Sequence, residues 1–421
     1  MKNPLDSAYS WQRLALSIII STIGSIGMWA IILVLPQVQK DFGIDRGDAS
    51  LAYSTTMIGF AIGNYILGQF VDRYGIYLAL VTAAIAQAAG FALAAMTNNF
   101  WLFAIFQGTL IGISTAVTFG PLIADVSHWF HHRRGVAIAA IASGNYLAGA
   151  VWPLLLNDVL ADQGWRQAYF IIAIVMIVAM LPLSFGLRRR PPHQTTAQAS
   201  LQQANLQQAS LQTGNEQPLQ SSITRRIDLS PRAMTILLGL AGVGCCVAMS
   251  MPQVHIVALC ADLGYGVAVG GQMLSLMLAG GIVSRILSGM LADYVGGVKT
   301  LLLGSILQCL ALFLYIPFDG LVSLYVVSLI FGLSQGGIVP SYAIIVREYL
   351  PAQEAGSRVG LVIMATVFGM ALGGWLSGWI FDQTSSYQAA FINGIAWNFL
   401  NIAIITGILW KTGRIKKQPA F

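Results

Sequence analysis

Runs of about twenty apolar residues recur along the whole chain, with short polar breaks between them. They fall at about 14–36, 50–71, 77–97, 101–125, 135–157, 168–187, 234–259, 268–292, 300–318, 321–345, 356–380 and 388–410. Each is long enough to cross a hydrocarbon layer about 30 Å thick as a helix. No water is available there to satisfy the backbone, so such runs close their hydrogen bonds internally as helices. The pattern predicts an all-α membrane protein of twelve spans, with consecutive helices antiparallel across short connectors. The first run, from Leu14 to Leu35, has no small-residue cleavage site behind it and reads as a retained helix rather than a signal peptide.

One connector is different. Residues 188–232 are rich in Gln, Ser and Ala and basic at both ends. Such a segment has too little apolar surface to fold alone and reads as a tether, although SLQQANLQQASLQ has the periodicity of a surface-induced helix. It divides the chain into six-helix bundles at 1–187 and 233–421.

Composition agrees. The 421 residues are 56% hydrophobic and 9% charged, against roughly a quarter charged in soluble domains. Cys245, Cys246, Cys260 and Cys309 sit in apolar runs without metal or disulfide spacing. Of 22 Lys and Arg residues, 18 fall on one side if both termini are cytoplasmic; Lys40, Arg46 and Arg166 fall outside and Arg285 lies within a span. That asymmetry sets the expected topology, a multi-pass protein of the cell inner membrane with both termini in the cytoplasm. It also accounts for the basic balance without nucleic acid.

The two halves repeat. Gly68-Gln-Phe-Val-Asp72-Arg73-Tyr-Gly75 follows the second run, and Gly289-Met-Leu-Ala-Asp293-Tyr-Val-Gly296 follows the eighth, 221 residues later. Trp165-Arg166-Gln167-Ala168-Tyr169-Phe170 and Tyr387-Gln388-Ala389-Ala390-Phe391 open the sixth and twelfth runs at the same offset. Duplicated six-helix halves with a site between them are the plan of alternating-access transporters.

GQFVDRYG and GMLADYVG resemble the signature loop of the major facilitator superfamily, and the resemblance covers nearly the whole chain. It implies that Asp72, Arg73 and Asp293 act in gating, by capping a neighbouring helix or pairing with a cation. The usual basic pair after the last Gly is missing in the first copy, where Ile76 and Tyr77 stand; Lys299 takes that role in the second. The loop from Asp125 through Trp129-Phe130 to Arg133-Arg134-Gly135 adds three more gating candidates, Asp125, Arg133 and Arg134. With Gly164-Trp165-Arg166, Gln253-Val-His255 and Asp262-Leu-Gly264, it resembles the monocarboxylate transporter and oxalate–formate exchanger branch.

None of the thirteen Asp and three Glu lies mid-span, and Arg285 is the one deep cation. It precedes Asp293 by eight residues, about 12 Å of helix. An ionised group there needs an anion, water or a partner, and one turn before it stands Gly281. Guanidinium presents a planar fork that matches a carboxylate. The resemblance implies the same, since the branch uses an arginine in its eighth helix for substrate. The alternative is an arginine bonded to backbone carbonyls or snorkelling to the surface.

His255 and Asp262, seven residues apart in the seventh run, resemble the His and Asp of bacterial members. They are candidates for proton coupling, and His255 also for substrate contact. Thr118, Asn145, Tyr146, Gln335 and Tyr342 are polar groups placed to line a cavity. Gly59/Gly63, Gly332/Gly336 and Gly369/Gly373 predict close helix approach. The eleventh run has no second cation, which favours a monocarboxylate over a dicarboxylate. His128, His131 and His132 lack companion ligands, so no metal or other cofactor is expected.

No Walker A loop or nucleophile–base set appears, so neither ATP-driven transport nor an enzyme is indicated. The expected function is secondary transport of a small, lactate- or pyruvate-like monocarboxylate by a monomer, with a proton or counter-anion supplying direction. An organic anion exchanger, an amphiphile efflux pump of the same fold and a non-transporting membrane sensor are the alternatives.

Overall fold

The computed structural model describes residues 5–189 and 229–415; most of the Gln-rich connector lies outside the described residues. Twelve helical rods follow one another: α1 (Ala8–Phe42), α2 (Arg46–Tyr74), α3 (Ile76–Met96), α4 (Phe100–Ser127), α5 (Arg134–Asp162), α6 (Gly164–Leu187), α7 (Pro231–Asp262), α8 (Val267–Val295), α9 (Gly297–Leu314), α10 (Leu321–Tyr349), α11 (Ala352–Thr384) and α12 (Tyr387–Ile415). No strand occurs among the described residues. Eleven of the rods are long and apolar enough to cross a membrane. The exception, α2, is just as long at 29 residues, but its stripe of Ser and Thr dilutes its apolarity. That stripe is buried: Ser54 Oγ donates to the Ala371 carbonyl of α11 (2.6 Å) and Thr55 Oγ1 to that of Ala104 in α4 (3.0 Å).

The duplication is written in the backbone. Left-handed residues recur as Gly43 and Gly264, Gly75 and Gly296, and Gly164 and Ser385, each pair 221 residues apart, with φ of 62° and 82°, 88° and 87°, 81° and 52°. These are helix-terminating turns where a side chain is costly, so the same turns were kept in both halves. The glycine pairs expected to permit close approach do so. A Cβ on Gly59 would run into the backbone of Gly108, and one on Gly336 would meet Gly281 O and, at 2.9 Å, Arg285 N.

Several rods are broken rather than straight. α1 divides at Ser25, α4 changes direction at Phe119 (φ −118°, ψ −93°), and α10 is interrupted at Gly336 and Gly337. Side chains span the first two breaks: Ser21 Oγ donates to Thr118 O (2.9 Å), and Ser25 Oγ lies 2.9 Å from Thr118 Oγ1. The break in α10 instead leaves the Gly336 carbonyl to another helix.

The two halves meet unevenly along the bundle. With an even number of crossings, both termini lie at one end of the bundle, here the terminal end; the opposite one is the far end. Among the described residues, the hydrogen bonds between halves are those of Arg46 and Gly47 with α7, α11 and α12, of Ser54 with α11, and of Arg285 with α5. All lie at the far end or in the middle. A Cβ on Gly374 of α11 would sit 2.7 Å from the Tyr53 ring of α2, and one on Gly378 2.9 Å from Arg46 O. Toward the terminal end, a Cβ on Gly68 of α2, Gly289 of α8 or Gly360 of α11 would meet no neighbouring helix within 4 Å among the described residues. The main hydrophobic core draws on both halves, whereas a second cluster around Met234, Tyr342 and Ile405 belongs wholly to the second. The bundle is closed at the far end and parted at the terminal end.

Candidate functional site

Arg285 stands ten residues before the end of α8 at Val295, about 15 Å into the bundle at the helical rise. It is half-buried. Its Nε donates to Gly336 O at the break in α10 (3.3 Å), and its Nη1 to Ala142 O of α5 (2.6 Å). Its guanidinium carbon lies 4.2 Å from the centre of the Tyr146 ring. No ion pair to it exists among the described residues. Carbonyls and a ring face offer partial negative charge, so they orient the cation without neutralising it. The carbonyl bonds expected of a structural arginine are therefore present, and no carboxylate among the described residues neutralises the charge. Because α5 belongs to the first half and α8 and α10 to the second, an anion arriving at Arg285 meets both.

The other cavity candidates are placed unequally. Tyr146 is 8% exposed and forms the floor under Arg285. Its neighbour Asn145 accepts from Trp29 Nε1 (2.9 Å), while its Nδ2 points at Met28 Sδ (3.1 Å). Thr118 is fully buried in the α1–α4 junction. Tyr342 donates to Asn401 Oδ1 (2.9 Å) inside the second half. Gln335, the residue before Gly336, accepts from Gln253 Nε2 of α7 (2.8 Å). Both glutamines are buried, and Gln335 Nε2 and Gln253 Oε1 have no partner among the described residues. Whichever way the two amides are turned, one donor and one acceptor remain, and buried amides rarely stay in that condition.

His255 and Asp262 lie elsewhere. His255 is buried, its Nε2 2.8 Å from Gly374 O, its Nδ1 without a partner among the described residues and its ring 5.9 Å from that of Tyr387. It belongs to the far-end closure rather than to the surroundings of Arg285. Asp262, whose side chain is 37% exposed, takes both nitrogens of the Arg46 fork, one of them at 3.2 Å. Arg46 reads from the sequence as an outer loop charge; it is instead the first residue of α2 and 6% exposed. It also bonds the Tyr387 hydroxyl and Gln39 Oε1 (3.0 Å), and lies 4.3 Å above the Phe381 ring. Asp382 of α11 accepts from the first backbone N–H groups of α2, Arg46 N (2.9 Å) and Gly47 N (2.6 Å). A carboxylate from one half thus caps a helix of the other. Sequence reading missed this cluster because neither Arg46 nor Asp382 sits inside an apolar run.

The gating candidates at the terminal end are apart. Asp72, Arg73 and Asp293 are exposed, and neither Asp has a hydrogen bond or ion pair among the described residues. Asp293 was expected to cap a neighbouring helix or pair with a cation; the adjacent N-terminus, that of α9, is instead capped by Glu348 from α10, whose carboxylate oxygens are both 3.2 Å from Gly297 N. Asp125 is buried against Arg13, which donates through Nε (3.1 Å) and Nη2 (2.8 Å) and rests 4.7 Å from the Trp129 ring centre. All three belong to the first half, so this pair locks α1 to α4 and does not bridge the halves. Arg133 is exposed beside Trp11; the Arg134 side chain lies outside the described residues.

Comparison with known proteins matches the geometry. The model of the Major Facilitator Superfamily matches residues 17–318 and 236–421. The chain is 26% identical to a protein of Bos taurus named monocarboxylate transporter 13, over 82% of this chain and 75% of that one. It is 27% identical to an uncharacterised MFS-type transporter of Bacillus subtilis, over 82% of each. Among solved structures, a bacterial homologue of the human lysosomal transporter Spinster superposes with a TM-score of 0.70 at 14% identity, covering 99% of this chain and all of that one. A peptide transporter superposes equally well, at 0.70 and 15% identity, covering 96% and 94%.

Proposed function

The chain belongs to the major facilitator superfamily, and from that premise we propose that it is a secondary transporter of a small, lactate- or pyruvate-like monocarboxylate, bound at Arg285 and moved by alternating access. The observation that carries this reading is a half-buried guanidinium held by two carbonyls and an aromatic face, with no carboxylate beside it among the described residues. One fork suits one carboxylate. Arrival of the anion neutralises the charge, which lowers the cost of enclosing it when the halves close over the site. Contact with α5 on one side and α8 and α10 on the other couples that neutralisation to the movement of the halves.

With both termini in the cytoplasm of a cell whose inner membrane holds the protein, the parted end faces inward and the far-end closure faces out. Asp262, paired with Arg46 at the outer mouth, and the nearby His255 are the residues proposed to couple transport to a proton. The unpartnered donor and acceptor of the Gln335–Gln253 pair, next along α10 from Gly336, suit a polar group of the substrate.

The test is uptake of labelled monocarboxylates into proteoliposomes with internal pH recorded. Saturable uptake with internal acidification supports monocarboxylate symport. Uptake only against a preloaded anion, without a pH change, replaces symport with exchange. Transport of cationic amphiphiles alone, or binding without flux, overturns the proposal.

A further inference from the structure

The far-end closure depends on a difference between the two halves. In the first half, Asp41 at the end of α1 is engaged within its own bundle: Arg166, at the start of α6, donates to it through Nη2 (2.9 Å) and Nε (3.2 Å). The same arginine donates to the carbonyls of Ala95 (2.7 Å) and Thr97 (2.8 Å). In the second half, 221 residues on, Asp262 stands at the place of Asp41, two residues before the corresponding left-handed turn at Gly264. The place of Arg166 is taken by Tyr387. A phenol carries no charge and offers a single donor, so among the described residues Asp262 has no cation partner in its own half. It takes Arg46 from the other half instead, and Tyr387 bonds the same guanidinium. Val267 stands at the place of Arg46, so the crossing pair is made once, on one side of the pseudo-symmetric bundle.

We infer that Tyr387 is a positioning residue of the transport cycle: by withholding an arginine from Asp262 it leaves that carboxylate to latch the two halves together at the end away from the termini. This rests on the alternating-access reading but not on the identity of the substrate. An arginine at 387 would give Asp262 the internal partner that Asp41 has. The carbonyls needed to hold that arginine belong to backbone at Ile316 and Phe318, the places of Ala95 and Thr97, and do not depend on side-chain type. Asp382 would still cap α2, so opening would be graded rather than complete.

The test uses the full-length protein without substrate, with spin labels at Asp48→Cys on α2 and Gln383→Cys on α11, both exposed and on opposite halves. The four native cysteines are buried. Pulsed electron–electron distances should show one short population in the parent. Tyr387→Arg should raise the ratio of long to short distances about tenfold, the size expected when a charge-assisted bond is lost from one of two states. Tyr387→Phe, which keeps the ring and leaves the ion pair intact, should change that ratio by less than about threefold. Arg46→Gln should open the same end and make a further Tyr387→Arg change silent; this variant adds no charge and serves if Tyr387→Arg does not fold. An unchanged distribution with Tyr387→Arg or Arg46→Gln overturns the proposal. So does a Tyr387→Phe variant that opens as far as Tyr387→Arg, since packing and not partner exchange would then set the closure. Because no substrate is present, failure here leaves the carboxylate reading standing, and failure of that reading leaves the latch standing.

Discussion

The guanidinium of Arg285 and the ring of Tyr146 face one another 4.2 Å apart across the boundary between the two halves. One is carried by α8 and the other by α5, so relative movement of the halves changes the surroundings of the one arginine held mid-span among the described residues. Several consequences can be measured.

The Tyr146 ring holds the cation by a cation–π contact. Tyr146→Phe should leave monocarboxylate affinity within about twofold, and Tyr146→Leu should weaken it about fivefold, the size of one cation–π contact. Binding isotherms on purified protein distinguish the two. Equal losses would place the hydroxyl, not the ring, at the substrate.

The Gln253–Gln335 pair trades stability for recognition. Each buried orphan polar atom costs about 1–3 kcal/mol, whereas replacing both partners by apolar groups of similar shape is near neutral or stabilising. Gln253→Met with Gln335→Met should therefore raise the melting temperature in detergent while lowering uptake. A double variant that melts lower and transports normally would show that the pair only packs.

The Arg13–Asp125 pair stabilises the first half and does not gate. Arg13→Met leaves a buried carboxylate alone and should cost about 3–5 kcal/mol. Adding Asp125→Leu should recover most of that loss. Thermal unfolding of the single and double variants reads this directly, and substrate affinity in the double variant should match the parent. If the double variant stays fully destabilised or loses substrate affinity, the pair does more than join α1 to α4.

Much of this was legible in the sequence, for identifiable reasons. Twelve apolar runs and the lysine and arginine count report how the chain meets lipid, which needs no tertiary information. The duplication was legible because Gly75 and Gly296 sit in left-handed turns that restrict residue choice, so the copies still resemble each other. Arg285 stood out because a charge in an apolar run is rare. The latch was not legible. Arg46 lies at the edge of a run, where charges are ordinary, and its partner Asp262 is 216 residues away in the other half. The one available hint was that aligning the halves puts Tyr387 where Arg166 stands. Nor did the sequence separate polar residues bonded within a bundle, such as Thr118 and Tyr342, from those beside the cation. Both kinds appear as isolated polar positions in apolar runs, and only the facing helix decides which is which. Glu348 was passed over for the same reason, because its role as the α9 cap depends on where α10 ends.

Direct binding of a labelled monocarboxylate to purified protein, compared for the parent, Arg285→Lys and Arg285→Ala, tests the central claim most directly. The lysine keeps the charge without the fork and should bind about tenfold more weakly. The alanine should lose at least about thirtyfold, the lower bound for removing one partner of a buried charge-assisted pair. Parent-like affinity in Arg285→Ala, with the protein still folded, would contradict the account.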